Sequence, residues 1–269
     1  MLNDITIGQF FPGKSVIHRL DSRFKIVLVT ILVVILFVAQ NFWGLGIACA
    51  FVTMVYAASG ISFRMILKSL KPVLPIIIFT AVLNLIFIKD TAAGPLFSFW
   101  VITVYWKGVQ TSLFMMLRIV FLIIGMSLLT YTTSPIVLTD ALESLFTPLK
   151  KIHFPVHELA MMMTIALRFI PTLIEETNKI MMAQKARGAS LDTGGLIKRA
   201  KAMTPILIPL FVNSFKRANE LATAMECRCY KGGEGRTKLR VLKATKLDFF
   251  ATALTLCVLG MVIVNNIVF

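Results

Sequence analysis

Residues 26–59 read IVLVTILVVILFVAQNFWGLGIACAFVTMVYAAS, a run of 34 residues without one charged side chain. A bilayer crossing takes about 20 mostly apolar residues, so this run is too long for a single span. Gln40, Asn41, Gly44 and Gly46 interrupt it near its middle. The expected structure is a tight helical hairpin, with spans over 25–40 and 43–59 and its polar tip at Asn41. That hairpin decides the fold class, because only helices and closed barrels satisfy their backbone polar groups inside lipid.

The whole chain agrees with its hairpin. Of 269 residues, 57% are hydrophobic and 15% charged, with a mean hydropathy of +0.83. Soluble domains carry about 45–50% apolar and about 25% charged residues. An ordinary cytosolic enzyme is excluded on this ground, and disorder with it. Three more apolar segments follow, at 72–88, 108–131 and 247–268. The expected fold is all-α, a polytopic membrane protein with about five transmembrane helices. The first 25 residues lack the short apolar core of a signal peptide.

Basic loops lie on the cytoplasmic side of a membrane. Lys14, Arg19, Arg23 and Lys25 precede the hairpin, and its tip carries no charge. Arg64, Lys68 and Lys71 follow it, and the next loop has only Lys89 and Lys107 with Asp90. Residues 135–246 then hold 18 Lys/Arg and 9 Asp/Glu. The alternation places the N-terminus in the cytoplasm and the far end of the chain outside. It divides the chain into a four-span bundle (1–134), a cytoplasmic region (135–246) and a last span (247–269). It also explains the net charge of +15 by anionic lipid at the inner face rather than by nucleic acid.

Residues 135–246 read as helices. A shorter one opens at Ser134-Pro135, a cap followed by a first-turn proline, and runs to about Lys151. In the first long helix Met162, Ala166, Phe169, Ile170, Leu173, Ile180 and Met181 recur at spacings near three and four. Leu196, Ala200, Met203, Leu207, Leu210, Phe211 and Leu221 do the same in the second. This is an amphipathic pattern. Pro171, Pro205 and Pro209 are expected to kink the two helices.

The two long helices end alike. The first finishes Ala186-Arg187-Gly188, and the second Cys227-Arg228-Cys229 before Tyr230-Lys231-Gly232-Gly233. Each end sets one arginine between two small residues. A cation suits the negative end of the helix dipole, and small neighbours let a partner's backbone approach. Two readings stand at this point: a docking device with two plugs, or two ordinary dipole partners at a membrane surface.

The two motifs, with Lys231-Gly232-Gly233-Glu234-Gly235-Arg236-Thr237 after the second, resemble the transmembrane T component (EcfT) of energy-coupling factor (ECF) transporters. That family carries Ala-Arg-Gly-type motifs at the ends of two cytoplasmic coupling helices. The start of the chain, Pro12-Gly13-Lys14-Ser15 and His18-Arg19-Leu20-Asp21-Ser22-Arg23, is similar to the family's Leu-Asp-Pro-Arg-like opening. The resemblance covers essentially the whole chain. Cys227 and Cys229 depart from the usual alanine and glycine. Because cysteine is less suited than glycine to a left-handed cap, the second tip is expected to sit differently from the first.

The resemblance implies a coupling subunit of an ECF-type ABC importer. Two cytoplasmic ATPase subunits would each take one arginine motif, and the unequal motifs fit two non-identical ATPases. Their ATP-driven motion would pass along the helices to a membrane-embedded, substrate-binding S component for a vitamin or metal ion. The chain itself would be no enzyme and would need no cofactor. Met161, Met162, Met163 and Met203 are candidates for the S-component contact, since flexible thioethers suit a surface that meets several partners; core filling or lipid contact is the other reading.

Other signals are weaker. Arg118 lies inside a span, where a charge faces a transport path or makes a structural bond to a neighbouring helix. His153 and His157 are four apart with Glu158 adjacent, but Pro155 between them and the absent His-Glu-x-x-His order argue against metal. Gly232 to Gly235 lacks the Gly-Lys-Ser/Thr ending of a phosphate loop, so energy must come from a partner. Four cysteines without paired spacing give neither a disulfide framework nor a zinc ribbon. An intramembrane hydrolase lacks its acids, since Asp4, Asp21, Asp90 and Asp248 all lie at membrane edges or in loops. The alternative of a conventional ABC permease subunit would need a single Glu-Ala-Ala-x-x-x-Gly loop, whose spacing Glu176 to Gly188 does not keep.

Overall fold

A computed structural model of the chain describes residues 10–88, 97–99, 102–189, 195–232 and 242–268. They form ten α-helices: α1 (Val16–Arg19), α2 (Ser22–Val38), α3 (Phe42–Ser59), α4 (Phe63–Leu70), α5 (Leu74–Phe87), α6 (Trp106–Thr132), α7 (Pro135–Phe146), α8 (Val156–Ala186), α9 (Leu196–Cys227) and α10 (Lys246–Val268). A 3-10 turn, Thr147–Ile152, follows α7. The all-α reading holds, with one small addition. Strands β1 (Phe97–Phe99) and β2 (Ile102–Val104) pair antiparallel in the segment read as a plain loop. Residues 89–96, with Lys89 and Asp90 of that loop, lie outside the described residues.

Two compact units emerge from the packing. One is Gly8–Ala141 with Leu242–Phe269, and the other contains Leu142–Val241. In the first, α2, α3, α6 and α10 close around Leu32, Ile35, Leu36, Leu45, Ala48, Phe51, Phe114 and Val262. Gly125 marks the closest approach of α6 to α2, where a Cβ would stand 2.6 Å from Leu32 Cδ2. Small residues at such crossings let helices pack in lipid, where no hydrophobic effect drives them together. Helix α5 packs on α6 and buries only Ile77.

Among the described residues four helices are long and apolar enough to cross a membrane: α3, α6, α8 and α10. A fifth candidate is the pair α4 and α5, bent by 63° at the break that holds Pro72. The span expected from residue 72 thus begins at Leu74, and Arg64 and Lys68, expected in a loop, lie on the amphipathic α4. Helix α2, at 17 residues, sits at the short end of the range that crosses a bilayer. Helix α8 meets the length measure but carries Glu158, Arg168, Glu175, Glu176, Lys179 and Lys185. Charges are expensive in lipid, so length alone does not make it a span.

Two cations fasten α2 to α6. Lys25 Nζ donates to the Thr132 carbonyl at the end of α6 (3.0 Å), to the His18 carbonyl (3.2 Å) and to Thr133 Oγ1 (3.4 Å). At the other end Arg118 donates to the carbonyl of Ala39, the C-cap of α2, and lies 4.7 Å from the Phe114 ring centre. Residues 25 and 39 are 14 apart, as are 118 and 132, so both fasteners span about 21 Å of antiparallel helix. Of the two readings of Arg118, the structural bond is the one its contacts support. Asn266 Nδ2 adds a bond to the Val38 carbonyl at the same end (2.5 Å).

The start of α10 is tied in by Asp248, which is fully buried. Its Oδ2 accepts from the Thr245 amide (2.6 Å) and hydroxyl (2.8 Å), closing the first turn like one half of a capping box. Its Oδ1 accepts from the Asp21 amide (2.8 Å), and Asp21 Oδ1 accepts in turn from the Arg23 amide (2.9 Å) as the N-cap of α2.

The unit containing Leu142–Val241 is built differently. Helices α8 and α9, about 46 and 48 Å long, pack side by side and share an ion pair between Arg217 and Glu176. Both run as continuous helix through Pro171, Pro205 and Pro209. Among the described residues, Val156, Ala160 and Ile206 are their buried apolar side chains, and Phe169, Ile170, Leu173 and Ile180 of α8 are half-buried.

Candidate functional site

The sequence pointed to the ends of α8 and α9, and the structure gives those ends the same backbone. In α8, Arg187 is the C-cap and Gly188 follows at φ +85°. The Gly188 amide donates to the Lys185 carbonyl and the Ala189 amide to the Gln184 carbonyl, each at 3.0 Å. In α9, Arg228 is the C-cap and Cys229 follows at φ +57°. The Cys229 amide donates to the Glu226 carbonyl (2.8 Å) and the Tyr230 amide to the Met225 carbonyl (3.1 Å). Both sets are the paired bonds of a Schellman motif, which satisfies the last carbonyls of a helix through a left-handed residue.

This corrects one expectation. Cys229 was expected to set the second tip apart from the first, yet it takes the left-handed conformation of Gly188. The reason is the pair of bonds it completes, which outweighs a left-handed penalty of about 1–2 kcal/mol for a residue with a Cβ. Gln184-Lys185-Ala186-Arg187-Gly188-Ala189 and Met225-Glu226-Cys227-Arg228-Cys229-Tyr230 are therefore two copies of one cap.

What these tips offer is simple. Ala186, Arg187 and Gly188 are exposed, and so are Cys227, Arg228 and Cys229. Each arginine stands at the negative end of a long helix dipole, with its five N–H donors available to carboxylates or carbonyls of a partner. Residues 233–241, which hold Gly233 to Thr237 of the second motif's tail, lie outside the described residues.

The methionine candidates divide. Met162 (54% exposed), Met163 (47%) and Met203 (55%) are open, while Met161 is half-buried. Sequence reasoning missed a larger feature beside Met203. Leu207, Ile208, Phe211, Val212 and Phe215 of α9 are all more than half exposed, and the rings of Phe211 and Phe215 stand 4.7 Å apart. The signal was present, since large apolar residues here exceed a single helical stripe and cannot all face α8. An uncovered apolar strip of this kind marks an interaction surface.

The two histidines do not converge. His153 is the left-handed cap of the 3-10 turn at φ +59°, and His157 Nδ1 lies 3.0 Å from Glu143 Oε1. Among the described residues no cluster of three or more His, Cys, Asp or Glu side chains could hold a metal ion.

Comparison with known proteins gives a consistent result. The family described as "CbiQ: Cobalt transport protein" matches residues 13–239. The chain is 47% identical over 269 residues to an "Energy-coupling factor transporter transmembrane protein EcfT" of Ruminiclostridium cellulolyticum, covering 100% of both chains. It is 53% identical over 265 residues to the protein of that name from Clostridium kluyveri, covering 98% of this chain and 97% of the relative. The Bacillus subtilis protein of that name is 47% identical over 249 residues, 92% of this chain and 93% of its own. With its apolar helix bundle, its paired arginine tips and this likeness from end to end, the chain belongs to the EcfT family, the multi-pass transmembrane components of energy-coupling factor transporters.

Proposed function

We propose that the chain couples ATP-driven motion in two cytoplasmic ATPase subunits to a separate, membrane-embedded S component that binds a micronutrient, a vitamin or a metal ion. Arg187 engages one ATPase and Arg228 the other. Ala186, Gly188, Cys227 and Cys229 keep the approach to each arginine open. The observation that carries this reading is the repeated cap: two exposed arginines at identical helix ends, on two helices that share the Arg217–Glu176 ion pair. A lone dipole partner needs no second copy, whereas a pair of homologous ATPases calls for two similar plugs. Hydrolysis of ATP belongs to those partners.

In this reading residues 1–134 and 247–269 hold the membrane spans, residues 135–246 lie in the cytoplasm, and so does the N-terminus. The exposed strip of α9 with Met203, together with Met161, Met162 and Met163 of α8, receives the S component. Non-directional apolar contact suits a surface that exchanges partners.

Charge reversal tests the tips. In the complex expressed with its ATPases and S component, Arg187→Glu and Arg228→Glu should each weaken ATPase co-purification, and the double variant should abolish transport with the S component still bound. Normal transport by the double variant, with the complex intact, would refute the assignment.

A further inference from the structure

In the transmembrane unit, α1, α2, α3, α6 and α10 enclose a half-open cavity of about 290 Å³. Its walls are almost wholly apolar, with Leu20, Leu32, Phe51, Leu128 and Leu254 among them. The polar groups that reach it are already engaged. Lys25 Nζ spends its three N–H bonds on His18, Thr132 and Thr133. The Thr132 hydroxyl donates to the Leu128 carbonyl and the Thr255 hydroxyl to the Ala251 carbonyl. Nothing inside is left to recognise a polar solute, so the chemistry of the wall selects a hydrocarbon chain.

The depth of the cavity fits such a chain. Its lining runs along α2 from Lys25 to Leu32 and along α10 from Leu247 to Thr255, roughly 10–12 Å of helix. That is less than the thickness of one leaflet, about 15 Å of a hydrocarbon core of about 30 Å. The rim is cationic. Arg19 and Lys246 are exposed, and each directly precedes a lining residue, Leu20 and Leu247. Lys14 and Lys243 are exposed near them in sequence, and none of these four has an ion pair among the described residues. The acids of the same region, Asp21 and Asp248, are buried, and they face cations of their own: Asp21 lies 3.8 Å from Arg23, and both carboxylates act on the buried Lys25, so the four exposed rim cations remain in excess.

We propose that this cavity is a binding site for an anionic glycerophospholipid. One acyl chain fills the space between α2 and α10, and the phosphate rests against Arg19 and Lys246. The bound lipid completes the packing of the bundle at its basic end, beside the Lys25 fastener. The site is independent of the arginine tips and does not depend on their proposed role.

Native mass spectrometry tests it on the intact complex, taken from nanodiscs with equal amounts of phosphatidylglycerol and phosphatidylcholine. The wild type should retain phosphatidylglycerol preferentially. Arg19→Gln with Lys246→Gln, both at exposed positions, should lower that retention about thirtyfold, since each surface cation contributes about a factor of five. Ala251→Phe, which fills the cavity from α10, should release the lipid while the protein keeps its melting profile. Equal retention of the two lipids by the wild type would overturn the proposal. So would unchanged phosphatidylglycerol in the double glutamine variant. Loss of a protein subunit from Ala251→Phe with the lipid retained would also overturn it, by making the cavity a protein contact.

Discussion

Cys229 holds at φ +57° a backbone that glycine adopts freely, and Gly188 holds the same conformation at φ +85°. The penalty at Cys229 gives a direct test of the shared cap. Cys229→Gly should strengthen the tip of α9 by about 1 kcal/mol, and Gly188→Ala should weaken the tip of α8 by a similar amount. Amide hydrogen exchange at residues 225–230 should slow about fivefold in the first variant, and at 184–189 should speed up about fivefold in the second. No change at either tip would mean that the left-handed residue does not govern the cap. Arg118 is the other residue whose meaning turns on geometry. Its bond to the Ala39 carbonyl makes it a cap for α2, and its buried Nε has no partner. Arg118→Met should therefore cost about 2 kcal/mol of stability in detergent, towards the lower part of the range for bonds to charged groups, because an unsatisfied atom leaves with it. Stability unchanged but transport lost would return Arg118 to a transport path.

Helix α2 depends on its two ends. Lys25→Met removes three bonds at once and leaves the last carbonyl of α6 short of a partner, so a loss of about 2–4 kcal/mol is expected. Exchange should rise first at Tyr131 to Thr133, with α3 still protected; uniform loosening of the bundle would contradict a local fastener. Helix α9 makes its own prediction. Phe211→Asp with Phe215→Asp should release the S component while both ATPases stay bound, because the strip and the tip lie in different parts of one helix. Loss of both partners together would point to a folding role for the strip. Element by element, the sequence was informative where composition or periodicity is extreme. The charge-free run at 26–59 became α2 and α3 with a break at 39–41, and the apolar stripes became α8 and α9. What it hid was tertiary. Lys25 looked like one more basic loop residue, and Asp248 like an acid at a membrane edge, because their partners are 107 and 227 residues away. Nor does residue preference alone reveal the cap at Cys229, which rests on the two bonds its backbone completes.

Across the molecule, apolar side chains are divided between a buried bundle and an unusually open pair of long helices. Leu32, Ile35, Leu36 and Val262 are buried in the first, while Phe211, Phe215, Met203 and Met162 stand exposed in the second. A chain built this way is complete only in company, in keeping with its family's place in a transporter of several subunits. In the proposed coupling, Arg187 and Arg228 meet ATPases. Site-specific photo-cross-linking from Ala189 and Lys231, two residues beyond Arg187 and three beyond Arg228, probes that contact in the assembled complex in native membranes. Protein adducts are expected from both positions, each to an ATPase subunit and each lost when the nearby arginine is changed to glutamate. Adducts to lipid alone, or adducts to an ATPase that persist unchanged in Arg187→Glu and Arg228→Glu, would contradict it.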